Sequence, residues 1–300
     1  ISAQRKLKEN VITEQFARIA KMDIRVQVEE VSPSLGWRTQ ATIGSDKKGR
    51  AGFYASRTNT IMAIDDCLVL HPAIGYPKIQ SQHWEPGARI QVSASTDGSS
   101  RLVAGEVIQG ELIQNFAVNG MSYQVSPDSF WQSNVSAPKV LVDCVSDFAD
   151  VRAGDHVLDL YGGVGLFALQ LHEAVGAGGR IDLVEGSKSA TADAAVNFAG
   201  KENVKIYTGD VEKILPRFSS ADVVILDPPR DGAKKNVIAS LVACKPRAIV
   251  YVACDPAALA RDSALLGDAN YTLEKIRAFD LFPMTHHIEC VALFTPTAVS

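Results

Sequence analysis

The sequence predicts an α/β protein: a mostly parallel sheet with helices on both faces, preceded by a smaller, mainly antiparallel β domain that carries an N-terminal helix. Three observations predict it. From about residue 136, apolar strand-like runs alternate with helical segments, the pattern of a parallel sheet covered on both sides. Residues 25–125 instead carry short alternating or β-branched runs between turn clusters, the pattern of hairpins. Within the later half, residues 156–169 (HVLDLYGGVGLFAL) break an apolar strand at Gly162-Gly163-Val164-Gly165 and resume as a helix. Glycines there let backbone approach a ligand closely, and a new helix offers it unpaired N–H groups.

The length of 300 residues fits one large domain or two modest ones. With 46% hydrophobic residues and mean hydropathy near zero, the composition is that of an ordinary globular protein. No run approaches the roughly 18–20 apolar residues of a membrane span. Five cysteines are scattered without a CxxC pair, which points to a reducing, cytoplasmic setting rather than a disulfide framework. The net charge of −4 does not advertise nucleic-acid binding. Residues 1–125 hold 14 Lys and Arg against 12 Asp and Glu, a net +2, while residues 126–300 carry a net −6. Any RNA contact is therefore a local patch, with the N-terminal part the stronger contributor.

In chain order, residues 4–22 space Leu7, Val11, Ile12, Phe16, Ile19 and Ala20 as one amphipathic helix. Strands follow at 26–28, 41–43, 52–54, 89–92, 116–118 and 121–125. Lys47, Lys48, Arg50, Tyr54 and Arg57 make a basic stretch with an aromatic, either a solvated hairpin tip or a phosphate contact. Helices are expected at 136–150, 165–175, 187–199, 234–243 and 256–267. Strands are expected at 156–161, 180–184, 204–207, 223–226 and 248–252, with closing runs near 272–280 and 288–294. The expected division is 1–24 as helix and linker, 25–125 as a central β-rich, RNA-contacting domain, and 126–300 as the catalytic domain.

Chemistry concentrates at the ends of predicted strands, where open α/β sheets bind ligands. Glu185 lies 20 residues after Gly165 at the end of a second strand, placed to accept both hydroxyls of a ribose. The form DLYGGVGL with a downstream VEG suits S-adenosylmethionine (SAM) better than a dinucleotide. Asp227 opens Asp-Pro-Pro-Arg-Asp-Gly-Ala, whose prolines fix φ and leave carbonyls free. Cys254 ends a strand just before a helix with Pro256 in its first turn, a place that favours thiolate. Glu289 leads into the last strand from Phe-Pro-Met-Thr-His-His-Ile. Singly, each has a structural explanation: packing for the cysteine, turn capping for Asp227. His286 and His287 lack acidic neighbours at ligand spacing, so no metal is expected.

Taken in order, these stretches resemble the RNA uridine-5-methyltransferases, which make 5-methyluridine in transfer and ribosomal RNA. The resemblance rests on SPDSFWQSN (126–134), DLYGGVG (159–165), VEG (184–186), DPPR (227–230), YVACDPA (251–257) with LARD (259–262), and FPMTHHIE (282–289). It implies a Rossmann-like class I methyltransferase domain with SAM as cofactor. Gln132, Tyr161, Gly163, Glu185, Asp210 and Asp227 would contact SAM, Cys254 would be the nucleophile and Glu289 the base. It further implies an RNA substrate, ribosomal or transfer; the enzyme is expected to be cytoplasmic and monomeric. Two positions depart from the family: Leu166 where Asn is frequent, and Asp255 where Asn is usual, the latter expected to raise the thiol pKa. Cys67 resembles the fourth cysteine of members that carry an iron–sulfur cluster; the other three, and the family's small RNA-binding β-barrel, would lie before Ile1. A structural cysteine is the simpler reading of Cys67. Two alternatives stay open: a SAM-dependent enzyme for another substrate, and a non-catalytic RNA-binding scaffold. Cys254 together with Glu289 argues against both.

Overall fold

The computed structural model describes residues 1–56 and 58–298. Arg57, assigned above to the basic stretch, lies outside them. Helix α1 (Ser2–Gln15) runs on into a wider π-type turn, Phe16–Ala20, and stops at Lys21 in a left-handed conformation. Its buried residues, Lys8, Ile12 and Phe16, are spaced four apart and so share one face.

A six-stranded antiparallel sheet follows the first strand, β1 (Val28–Glu30). It contains β2 (Gln40–Ser45), β3 (Ala51–Tyr54), β4 (Ile61–Met62), β5 (Arg89–Ala94), β6 (Ser100–Ala104) and β7 (Glu106–Gln109), in the order β4-β3-β2-β5-β6-β7. A short helix, α2 (Tyr76–Gln80), packs on it, and Ile43, Tyr76, Trp84, Ile90 and Val92 form its core. The hairpin β8 (Gln114–Val118) and β9 (Met121–Val125) stands apart from this sheet. Its inward residues alternate as strand geometry requires: Phe116, Val118, Tyr123 and Val125 are buried in the core of the larger sheet.

That larger sheet has eight strands in the order β1-β15-β16-β14-β13-β10-β11-β12. After α3 (Ala137–Ala149) come β10 (His156–Leu160), α4 (Leu166–Val175), β11 (Arg180–Glu185), α5 (Lys188–Asn197) and β12 (Val204–Thr208). Then follow α6 (Val211–Ile214), β13 (Val223–Leu226), α7 (Lys234–Ala243), β14 (Ala248–Ala253) and α8 (Pro256–Asp268), and finally β15 (Tyr271–Asp280) and β16 (Glu289–Pro296). Strands linked through helices pair parallel. With no helix between them, β15 and β16 pair antiparallel. β1, from the stretch whose composition is hairpin-like, joins this sheet beside β15.

The apolar strands are buried on both faces. Along β10, Val157 faces the cluster with α3, α4 and the hairpin, whereas Leu158 and Leu160 face α7, α8 and α1. α1 is fixed by a buried ion pair, Lys8 Nζ to Asp280 Oδ1 at 2.6 Å. Strand order reverses at β10, with β11 on one side and β13 on the other. That switch point opens a crevice at the carboxyl ends of the strands. Because β16 runs antiparallel, its first residue, Glu289, arrives at the same edge. Among the described residues no helix is long and apolar enough to cross a membrane.

Candidate active site at the carboxyl ends of the strands

The loop after β10 is built on left-handed backbone at Tyr161 (φ +59), Gly163 (φ +56) and Gly165 (φ +92). The two glycines serve different ends. A Cβ on Gly165 would lie 2.4 Å from the Phe198 ring, so glycine there permits close packing; a Cβ on Gly163 would meet nothing within 4 Å. Gly163 therefore borders open space at the crevice. Its N–H donates to Glu185 Oε2 at 3.0 Å, and Ser187 N–H donates to Oε1 at 2.6 Å, which fixes the Glu185 carboxylate against the loop. Gly165 stands at the N-cap of α4 without a side chain to cap it. Asp159 does so from the strand below, its Oδ2 accepting from Ala168 N–H at 3.1 Å. Burial, with Asp227 and Glu185 nearby, pushes the Asp159 carboxyl up to about 7.

The loop after β13 carries Asp227 and turns at Gly232 (φ +76). It is held from beneath by Asp262 of α8, which is fully buried. Asp262 Oδ2 accepts from Ala233 N–H and from the Tyr251 hydroxyl, each at 2.7 Å. The register of β14 and β16 pairs Ala253 with Cys290, which brings Cys254 and Glu289 to the same end of the sheet. Glu289 is buried, and burial followed by repulsion from Asp227 holds its carboxyl well above the usual range, while burial raises Asp227 to about 7.

Burial, Glu289 and Asp227 push the Cys254 thiol up to about 11, against a smaller opposing effect of Arg230. The expectation that the helix start leaves a thiolate is thus corrected: two neighbouring carboxyls and desolvation outweigh it in the free protein. Asp255 is corrected as well. Its carboxylate caps α8, accepting from Ala258 N–H at 2.8 Å, and Pro256 occupies the first helical position. The charges that raise the thiol are Glu289 and Asp227.

Of the other expected residues, Tyr161 is half-buried at the end of β10, its hydroxyl pushed up to about 12 by burial and by Asp210 and Asp262. Asp210 is exposed at the N-cap of α6, accepting from Glu212 N–H at 2.8 Å. Gln132 is buried in the wall of a separate cavity of about 50 Å³, with Trp131, Asn134 and Phe116. Its segment is tied to the catalytic half through Ser126, which donates twice to Asp193, and Asn134, which donates to Leu281 O at 2.6 Å. Leu166 is buried in the core. Cys67 is partly buried beside Arg38 and Tyr76, and Cys144 is fully buried in α3. At the hairpin tip Arg50 is paired with Asp46 at 2.8 Å.

Asp159, Asp262 and Tyr251 were not singled out from the sequence, although all lie in the quoted motifs. The available signal was an acid at an otherwise apolar position: Asp159 inside a strand, and Asp262 on the helix face that also buries Leu259, Ser263 and Leu266.

These features fit SAM. Carboxyls buried without counter-ions favour a cationic ligand such as a sulfonium, Glu185 offers acceptors to a ribose, and Gly163 leaves room beside it.

Comparison with known proteins agrees. A family model described as tRNA (Uracil-5-)-methyltransferase matches residues 88–296. An uncharacterized RNA methyltransferase of Streptomyces avermitilis is 35% identical, over 99% of this chain and 78% of its own length. One from Bifidobacterium longum is 33% identical, over 98% of this chain and 76% of its own. The crystal structure of Pyrococcus abyssi tRNA (uracil-54, C5)-methyltransferase with S-adenosyl-L-homocysteine superposes with a TM-score of 0.76 at 22% identity, covering 97% of this chain and 83% of that one, and so shares the fold. With more than half of its length matched by the family model, this chain belongs to the tRNA (uracil-5-)-methyltransferase family of RNA methyltransferases.

Proposed function

We propose that the protein methylates C5 of a uridine in RNA, ribosomal or transfer, with Cys254 as nucleophile and Glu289 as base. The observation that carries this reading is the meeting of Cys254, Glu289 and Asp227 at one end of β14, β16 and β13. Methylation at nitrogen or oxygen has no need of a cysteine beside a buried carboxyl. Carbon 5 of uracil is a poor nucleophile, and a thiolate at C6 changes that.

SAM, when bound, supplies an electrophilic methyl group. Gly163, Tyr161, Glu185, Asp210, Asp227 and Gln132 are the residues proposed to hold it. The Cys254 thiol gives up its proton to solvent, the sulfur adds to C6 of the uracil, and the C5=C6 electron pair moves onto C5 and the O4 carbonyl. C5 would take the methyl group as its bond to the SAM sulfur breaks and S-adenosylhomocysteine leaves. The Glu289 carboxylate then removes the C5 proton, the double bond re-forms, and the Cys254 thiolate leaves C6. Arg230 favours the thiolate both before addition and after release. The uridine must be unstacked to reach this crevice. We place the RNA-contacting surface partly on the six-stranded sheet, and read the enzyme as a cytoplasmic monomer.

The base assignment is tested with Glu289→Gln. Without a carboxylate to take the C5 proton, elimination stalls, and a protein–RNA adduct that survives denaturing electrophoresis is expected in the presence of SAM. Free methylated RNA formed at the normal rate by this variant would overturn the assignment.

A further inference from the structure

We infer that the groove between the Asp227–Ala233 loop and the start of α8 binds a phosphodiester of the RNA backbone next to the uridine at Cys254. The inference rests on the RNA-methylating reading above and adds where the backbone lies. The groove encloses about 420 Å³, and Arg230, Lys234 and Arg261 line it. It adjoins the reacting groups directly: Arg230 acts on Cys254, and Asp255, which follows Cys254, forms part of its wall.

Three cations meet here in the half of the chain whose net charge is −6. Of the two acids lining the groove, one is engaged in capping and the other pairs only loosely with a groove cation. Asp255 caps α8. Asp231, exposed, reaches Lys234 at 3.6 Å, a loose contact that a phosphate oxygen can displace. The Arg261 Nη2 donates to the Asp231 carbonyl at 2.6 Å, which fixes the guanidinium across the groove. Arg230 Nη2 lies 3.3 Å from His287 Nε2 on the opposite wall of the site. Arginine forks with a lysine beside them suit a phosphodiester, which offers two oxygens and one negative charge.

Lys234 supplies the second observation. It takes a left-handed backbone conformation (φ +70) although it carries a Cβ, and its side chain is 65% exposed. Glycine or asparagine would sit there with less strain. Its loose contact with the exposed Asp231 repays little of that strain, whereas a charge projecting into the groove accounts for lysine here. An enzyme that unstacks a base must hold the backbone on either side of it, and phosphate contacts give that positioning without reading sequence.

The test measures binding of an unmodified transfer-RNA transcript by the intact protein across a potassium chloride series, for wild type, Lys234→Gln and Arg261→Gln. Each variant is expected to bind severalfold more weakly at about 0.1 M salt, and the slope of log affinity against log salt should shrink by about 0.7–0.9 per lost phosphate contact. SAM affinity should not change. Lys234→Gly removes the charge and relieves the strain together, so its melting temperature should rise while its RNA affinity falls. Wild-type salt slopes in the variants, or a fall in Lys234→Gly melting temperature with RNA affinity intact, would overturn the inference. The binding arm needs no turnover: a wild-type protein that binds RNA but does not methylate it would refute the catalytic reading and leave the groove decided by the slopes.

Discussion

Replacing Asp159 with asparagine should stabilise the protein at alkaline pH and leave it nearly unchanged in acid. The carboxyl is 1% exposed, and burial raises it from the ordinary value of 3.8 to about 7. A carboxyl that binds its proton more tightly folded than unfolded gives its full stability below the unfolded pKa. It loses that stability as pH rises toward the folded pKa. Here the loss runs from about pH 4 to about pH 7. A rise of about three on the pH scale, at about 1.36 kcal/mol for each, sets an upper bound of about 4 kcal/mol, and relaxation around the site brings the expected effect to about 2–4 kcal/mol. The asparagine side chain would keep the acceptor for Ala168 N–H and carry no charge to bury. Urea denaturation of both proteins between about pH 4.5 and about pH 8.5 measures the effect, which includes the relief of the repulsion between Asp159 and Asp227. The gain of Asp159→Asn should be small at about pH 4.5 and reach its plateau above about pH 7.5. A pH-independent difference, or a wild type that gains on the variant as pH rises, would refute the electrostatic reasoning.

Asp262→Ala strands the buried Tyr251 hydroxyl proton and leaves the Ala233 N–H with only its 3.0 Å bond to the Tyr251 oxygen. One unsatisfied buried donor costs about 1–3 kcal/mol, visible as a lower urea midpoint, whereas a loss under about 0.5 kcal/mol would show that the loop is held by other means. With its thiol pushed up to about 11, Cys254 should react slowly with iodoacetamide at about pH 7 and faster through about pH 9–10, followed by peptide mass spectrometry. Asp227→Asn should move that profile to lower pH; full reactivity of the wild type at neutral pH would contradict the burial argument.

Much of the fold was legible because its determinants are local. The central parallel strands β10, β11, β13 and β14 are four- to six-residue, largely apolar runs bounded by glycine turns or helix caps, and β13 and α7 fall at the expected residues. Elements that depend on distant partners were harder. β1 gains its strand character from pairing with β15, some 250 residues away, and so begins two residues later than its own pattern indicates. The hairpin β8–β9 alternates like any other, and nothing local tells that Tyr123 will end beneath α4, its hydroxyl donating to Leu166 O. At the site, the glycine loop, Asp227, Cys254 and Glu289 were visible as motifs. Their mutual electrostatics were not, because the rise of the Cys254 thiol comes from burial in the folded site and from groups 27 residues before it and 35 after it. The role of Asp255 was misjudged for the converse reason: its charge was weighed against the adjacent cysteine, but its own helix N-terminus claims the carboxylate first.

The central claim is tested most directly by transfer of labelled methyl from SAM to unmodified bulk RNA, comparing wild type with Cys254→Ala and identifying the labelled nucleoside. The account predicts label in 5-methyluridine for the wild type and none for the variant. Label in another nucleoside, or equal 5-methyluridine from both proteins, would contradict it.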